Sequence, residues 1–209
     1  MEDNIQIVKQ VYNMVAEKYD SSLSDDETNC LSRFFSIVEG DNLIDLGCGQ
    51  GKIAEYCHEQ KGFNITGYDI SEKMLIIADK KNKYKENIHF VLSDMQTAES
   101  TIVFDAAIAS FSLIHLTNDQ VKNTLFNLRK MLKPGGYLYI SVLAGTLCDY
   151  ISEPLDSRIK IFVHQYTEST ITALLESVNY KVVEINYGED NAIAALSKNA
   201  IFIFARREK

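Results

Sequence analysis

No apolar run in this chain approaches the ~18–20 residues that cross a bilayer, and 46% hydrophobic residues among 209 read as a soluble, globular domain. Basic residues are in the minority. The 21 Lys and Arg stand against 29 Asp and Glu, a formal net charge of −8. Nucleic-acid binders gain affinity by neutralising phosphates with cations. The acidic balance therefore argues against a large RNA or DNA footprint and against an anionic membrane. Cysteine is scarce and unpatterned: Cys30, Cys48, Cys57 and Cys148 form no CxxC, which fits reduced thiols in a cytoplasmic protein. The N-terminus lacks a basic stretch followed by an apolar core, so no secretory signal is expected. With no internal repeat and no Pro/Gly/Ser-rich linker, residues 1–209 read as one domain.

Hydrophobic periodicity supplies the organisation. Ile5, Val8, Val11, Tyr12, Val15 and Tyr19 recur at helical spacing over 4–19, and residues 28–38 read as a second helix. The polar stretch DSSLSDDETN between them reads as a mobile loop. Strand-like runs then follow: NLIDLG, NITGYDI, IHFVLSD, FDAAIAS, YLYISVL, KVVEINY and AIFIFAR. Helical segments at 52–60, 71–81 and 118–132, with a weak one near 95–100, separate the first five. Ser71, Thr117 with Gln120, and Thr167 are expected helix caps, and Asn179 a helix end. Lys133-Pro134-Gly135-Gly136 reads as a turn. Alternating β and α units imply a doubly wound, mostly parallel seven-stranded sheet of the α/β class. The last two strands are expected to pair antiparallel at its edge.

Three alternate glycines, Gly47, Gly49 and Gly51, stand directly behind the first strand in IDLGCGQGK. Glycine turns at that point of a doubly wound sheet hold nucleotides. A P-loop needs GxxxxGK[ST], and Lys52 stands at the wrong spacing for it. A dinucleotide fingerprint needs glycine at position 52, again Lys52. Asp45 would also repel a pyrophosphate. The turn asks for a ligand with a cationic group and no phosphate.

DLGCGQG at 45–51 resembles the first motif of the class I S-adenosylmethionine-dependent methyltransferases. An ordered series extends the likeness: GYDIS at 67–71, LSDM at 92–95, FDAAIASFSLIHL at 104–116 and LKPGGYLYIS at 132–141. The opening YNMVAEKYD, 12–20, is similar to the small-molecule and ubiquinone-type branch. The resemblance implies a Rossmann-like fold and S-adenosyl-L-methionine as cofactor. It implies that Asp45 attracts the ammonium while Gly47, Gly49 and Gly51, with Cys48 as a small packing residue, admit the methionyl tail. Asp69 would accept the ribose hydroxyls, Ile70 face the adenine, and Asp94 with the Met95 amide read the adenine edge. Ala109, Ser110 and Phe111 would line the sulfonium side.

Methyl transfer is an in-line displacement in which positioning supplies much of the acceleration. A base is needed only when the acceptor must lose a proton. His115, five places past Ser110, and His164, before a later helix, are the candidates; Arg158 could serve an acidic acceptor. His58 and His89 read as structural. The stretch IASFSLIHL offers no acid cluster, so no metal is expected. Residues 1–30 are expected to form a helical lid presenting Tyr12 and Tyr19, and 144–166 a short cap insert. Together these favour a small-molecule acceptor, with neither nucleic acid nor membrane as partner, for a monomer or homodimer. A tRNA or protein methyltransferase and a non-catalytic cofactor-binding subunit remain alternatives; a dehydrogenase is the weakest.

Overall fold

Apolar residues on both faces make Phe104–Ser110 (β4) a strand that needs cover on both sides, and every residue but the last is buried. The computed structural model describes residues 4–19, 22–189 and 199–208. Around β4 lie Asn42–Leu46 (β1), Asn64–Asp69 (β2), Ile88–Leu92 (β3) and Leu132–Leu143 (β5). Tyr180–Glu189 (β8) and Asn199–Arg207 (β9) complete a seven-stranded sheet of order β3-β2-β1-β4-β5-β9-β8. The first five strands pair parallel, and β9 runs antiparallel to both β5 and β8.

Side chains alternate between two cores along each buried strand. Ala106 and Ile108 of β4 join one core with Leu31, Phe34 and Phe35 of Asp25–Phe35 (α2) and with Ile53, Ala54 and Cys57 of Lys52–Lys61 (α3). Ala107 and Ala109 join the other core. There Asn4–Val15 (α1), Asn118–Met131 (α5) and Glu168–Ser177 (α6) supply Val8, Val11, Val121, Leu125, Ile171 and Leu175. Glu72–Lys81 (α4) packs along β3 and α1. The same alternation explains the place of β9. AIFIFA is buried on both faces, so β9 lies inside the sheet, while β8, half-exposed along its length, takes the edge.

Several local signals act as expected. Ser71, Thr117 and Thr167 cap α4, α5 and α6, Thr117 and Gln120 closing a capping box. Asn179 adopts a left-handed φ of 61°. Four expectations need correction. The first helix stops at Val15 and continues only as a turn over 16–18. The second runs over Asp25–Phe35, because Ser24 accepts from the Glu27 amide and Asp25, Asp26 and Glu27 suit a helix N-terminus; half of the expected loop is therefore helical. No helix forms over 95–100, where the amides of Gln96 and Thr97 bond to Asp94 in a tight turn. Lys133–Gly136 is not a separate turn but an irregular start of β5, where the register with β4 shifts.

The stretch 144–166 holds structure that periodicity did not show. Cys148–Glu153 (β6) and Asp156–His164 (β7) pair antiparallel as a separate two-stranded ribbon. Its β7 strand packs against α1 and against a single 3₁₀ turn at Leu113–His115.

Candidate active site

Strand order reverses between β1 and β4, so the crevice expected of a doubly wound sheet opens at their carboxyl ends. A cavity with about 510 Å³ of empty space, partly continuous with solvent, lies there. Gly47, Gly49, Asp69, Ile70, Met95 and Ser110 line it, as do Tyr12, Tyr19, Phe111 and His115. Val8, Met74 and Ser112 add walls that sequence reasoning did not single out.

The glycine turn forms the cavity's floor. Gly47 has φ +73°, and a Cβ there would come 2.4 Å from the Ser112 Cβ, so only glycine fits. The turn's amides are already committed. Gly47 and Cys48 donate to the Tyr68 carbonyl at 2.7 and 3.1 Å, and Gly51 donates to the Cys48 carbonyl at 2.8 Å. Gly49 donates to Asp69 Oδ2 at 2.8 Å. A phosphate-binding turn must aim free amides outward; these four point inward to the protein.

Carboxylates surround that floor. Asp69 accepts a second bond from the Ser71 amide at 2.8 Å. Burial raises its pKa, against the opposing pull of these amide bonds. The Ile70 amide adds to this pull, and part of the carboxylate's acceptor capacity is thereby used. Asp45, 1% exposed, lies beneath the cavity rather than on its wall, and its Oδ2 has no hydrogen-bond partner among the described residues. Burial, then the charges of Asp69 and Glu27, push its carboxyl up to about 8. Glu27 reaches in from α2, where it accepts hydrogen bonds from the hydroxyls of Ser110 and Ser141. No periodic signal marks Glu27, because it sits in the acidic first turn of a helix.

On the opposite wall, His115 is buried between two partners. Its Nδ1 lies 2.8 Å from the Phe162 carbonyl, which only accepts, so Nδ1 carries the proton. Nε2 is then the acceptor, 2.6 Å from the Tyr12 hydroxyl. Burial pushes the imidazole down to about 4, leaving it neutral near pH 7. Burial raises the Tyr12 pKa, with smaller contributions from Tyr19, Glu153 and Asp69. The Tyr12 ring meets Tyr19 and His115 edge-on at centroid distances of 5.9 and 5.3 Å.

Other expected residues lie apart. His164 is not among the lining residues; its ring packs 4.2 Å from Tyr166 and its Nδ1 lies 3.3 Å from the Leu116 carbonyl, a bracing role. Cys48 packs under the turn, where its Sγ would lie 2.8 Å from a Cβ on Gly67. Gly51 caps α3. Asp94 is outside the lining and already accepts from the Gln96 amide at 2.9 Å. Arg158 is paired with Asp156 at 2.6 Å in an exposed ion pair.

Known proteins share part of this sequence and its overall fold. Residues 43–136 match the family profile described as a methyltransferase domain. The Bacillus subtilis (strain 168) protein YqeM, which carries a methyltransferase name, is 34% identical over 137 residues, 63% of this chain and 55% of that protein. Demethylmenaquinone methyltransferase of Tropheryma whipplei (strain Twist) is 29% identical over 140 residues, 64% of this chain and 57% of the relative. The chain thus spans little more than half the length of these two relatives. In overall fold it is similar to the 1,6-didemethyltoxoflavin-N1-methyltransferase of Burkholderia thailandensis, solved with its substrate and S-adenosylhomocysteine bound. The TM-score is 0.77 at 17% identity, over 98% of this chain and 88% of that one. In the stretch that carries the glycine turn, residues 43–136, and in its sheet order, the chain is thus similar to methyltransferase-domain proteins.

Proposed function

We propose that this chain binds S-adenosylmethionine at the carboxyl edge of the sheet and transfers its methyl group to a small acceptor in the same cavity. The observation that carries this reading is a cluster of buried acids without a cation, one of which, Asp45, is held largely protonated near pH 7 for want of a partner. Asp45, Asp69 and Glu27 are clustered at the floor, no Lys or Arg lines the cavity among the described residues, and Asp45 Oδ2 is orphaned. A buried carboxylate left unpaired is costly. A ligand bearing an ammonium and a sulfonium, and no phosphate, supplies the missing cation and makes no demand for free amides.

In this reading Asp45 attracts the ammonium, and Gly47 and Gly49 let the tail lie close to the backbone. The remaining acceptor capacity of Asp69 takes the ribose hydroxyls. Ile70 and Met95 flank the adenine, while Asp94 accepts from its amino group once Gln96 gives way. Bound there, the cofactor supplies an electrophilic methyl group, and Ser110 and Phe111 bound its path. Tyr12, held by His115, presents its phenol oxygen to the acceptor and orients it for in-line attack. For an acceptor that must lose a proton, Tyr12 takes that proton as its own passes to His115 Nε2.

Calorimetry with S-adenosylmethionine and S-adenosylhomocysteine tests the reading. Both should bind. Asp69→Ala should weaken each by about 10–100-fold, the worth of one or two charge-assisted bonds. Tighter binding of NAD than of either, or an unchanged affinity in the variant, would sink it.

A further inference from the structure

The turn after β4 carries a hydroxyl that the methyl-transfer scheme leaves unused. Ser112 lines the cavity, yet its Oγ is shielded from water and has no hydrogen-bond partner among the described residues. Serine at the start of a helical turn ordinarily caps it by accepting from an amide. Ser112 stands in that place before the 3₁₀ turn at Leu113–His115 and makes no such bond. A buried hydroxyl without a partner is costly, so one on a cavity wall calls for a partner from the ligand.

The backbone before it is strained. Phe111 has φ +45°, in the left-handed region that bulky side chains rarely occupy. Such outliers persist where the surroundings over-determine them, and they gather at ligand sites. The Phe111 amide is held by Ser141, whose carbonyl accepts at 2.9 Å and whose hydroxyl accepts at 3.1 Å. Immediately past that bend Ser112 sits on the glycine turn. A Cβ on Gly47 would meet its Cβ at 2.4 Å and its Oγ at 3.2 Å.

The neighbouring donors are spent. The Tyr12 hydroxyl bonds to His115, the Ser110 hydroxyl to Glu27 and the His115 Nδ1–H to Phe162, while the turn's amides point inward. No Lys or Arg lines the cavity among the described residues. S-adenosylmethionine nevertheless brings an α-carboxylate, borne on the same carbon as its ammonium. With the ammonium drawn to Asp45, two residues before Gly47, the carboxylate must also settle near that glycine. The acids of the floor would repel it, whereas the Ser112 hydroxyl can donate to it.

We propose that Ser112 recognises the α-carboxylate of the cofactor, and so favours adenosyl ligands that carry a whole amino acid over those that lack the carboxylate. The inference rests on the methyl-transfer reading of the cavity, because it assigns a group of the ligand which that reading leaves unmatched.

Titration calorimetry on the full chain tests it, with S-adenosylhomocysteine and its decarboxylated analogue, which keeps both the ammonium and the adenosine. Ser112→Ala should weaken S-adenosylhomocysteine by at least about tenfold, as the loss of one charge-assisted hydrogen bond implies. The analogue's affinity should stay within about twofold, and the change in the ratio isolates the pair from any general loosening of the wall. Because the hydroxyl is orphaned, the variant's ligand-free melting temperature should not fall. An unchanged ratio of the two affinities overturns the inference, whether both fall together or neither moves. A lower melting temperature overturns it too, by making the hydroxyl part of the scaffold. Failure of both ligands to bind the native chain overturns the methyl-transfer reading itself, so the two failures are distinguishable.

Discussion

Two buried aspartates stand at opposite ends of the parallel strands and are treated in opposite ways. Asp105, near the start of β4, accepts from the amides of Asp41 and Asn42 at 2.9 Å each and pairs with Lys133. Burial raises its pKa, but Lys133 and the two amides outweigh this and hold the carboxyl below its ordinary range. Asp45, near the end of β1, has an orphaned oxygen and a carboxyl pushed up to about 8. One end of the sheet closes its polar groups within the protein, and the other leaves an Asp45 oxygen without a partner among the described residues. Enzymes built on such sheets keep scaffold and site at opposite ends for this physical reason.

The largest effect should come from the ligand end. His115→Ala should lower turnover about 10²–10⁴-fold, the range for a lost acid–base group, while cofactor affinity stays within about twofold. Tyr12→Phe should fall in the same range, and the double variant should lose little more, since the pair acts as one unit. Methyl-transfer assays alongside calorimetry check this; loss of cofactor binding in His115→Ala would make the residue part of the scaffold and blur the comparison.

Asp105→Ala should do the reverse. It strands two amides and an ammonium, so urea unfolding should show a loss of about 3 kcal/mol, with cofactor affinity of the folded fraction unchanged. An equal loss of affinity would show that the two ends are coupled.

Acid and alkali should separate the aspartates next. Because the folded-state pKa of Asp45 is raised from 3.8 to about 8, its contribution to stability is complete below pH 3.8 and is lost as pH rises through about 8. Asp105 is lowered, so its contribution is complete above its ordinary value of 3.8 and is lost as pH falls through the depressed one. Asp45→Asn should therefore stabilise the ligand-free chain at pH 9 by about 1–3 kcal/mol and weaken cationic-cofactor binding by about 10–100-fold. Thermal melts across pH, with and without S-adenosylmethionine, give both numbers, and a destabilised Asp45→Asn at pH 9 would reverse the assignment.

The smallest effect concerns α1, which roofs the ligand end through Tyr12. Its amides should exchange more slowly with cofactor present, by about tenfold or less, as expected of a segment that orders on binding. Equal exchange in both states would make α1 a fixed wall and remove the lid.

What could be read without coordinates follows the range of the interactions. The five parallel strands, their intervening helices and the glycine turn are local patterns, each stated within ten or so residues, and all were legible. That Asp69, Ile70, Met95 and Ser110 line the cavity was legible because they stand at or shortly after strand ends. The β6–β7 ribbon was not, since CDYISE and DSRIKIFVH mix polar and apolar residues without the clean alternation of a half-buried sheet. Nor was the Tyr12–His115 bond, whose partners are 103 residues apart. Glu27 and Glu153 look like surface acids in sequence, and only tertiary packing buries them. His164 misled for the converse reason: a histidine before a helix near the cleft is also a good brace for its carbonyls.

The place of β9 has a consequence for how the chain is made. It lies between β5 and β8, though β8 precedes it in the chain. As the polypeptide leaves the ribosome, β8 emerges with no neighbour to pair with, and the open edge of β5 must wait for β9 to arrive. Until then two strand edges stand exposed, the condition under which nascent chains associate with one another. Completion of the sheet is a late, non-local step, so a ribosome that stalls between Glu189 and Asn199 leaves the strands that carry the glycine turn in place beside an edge that invites aggregation.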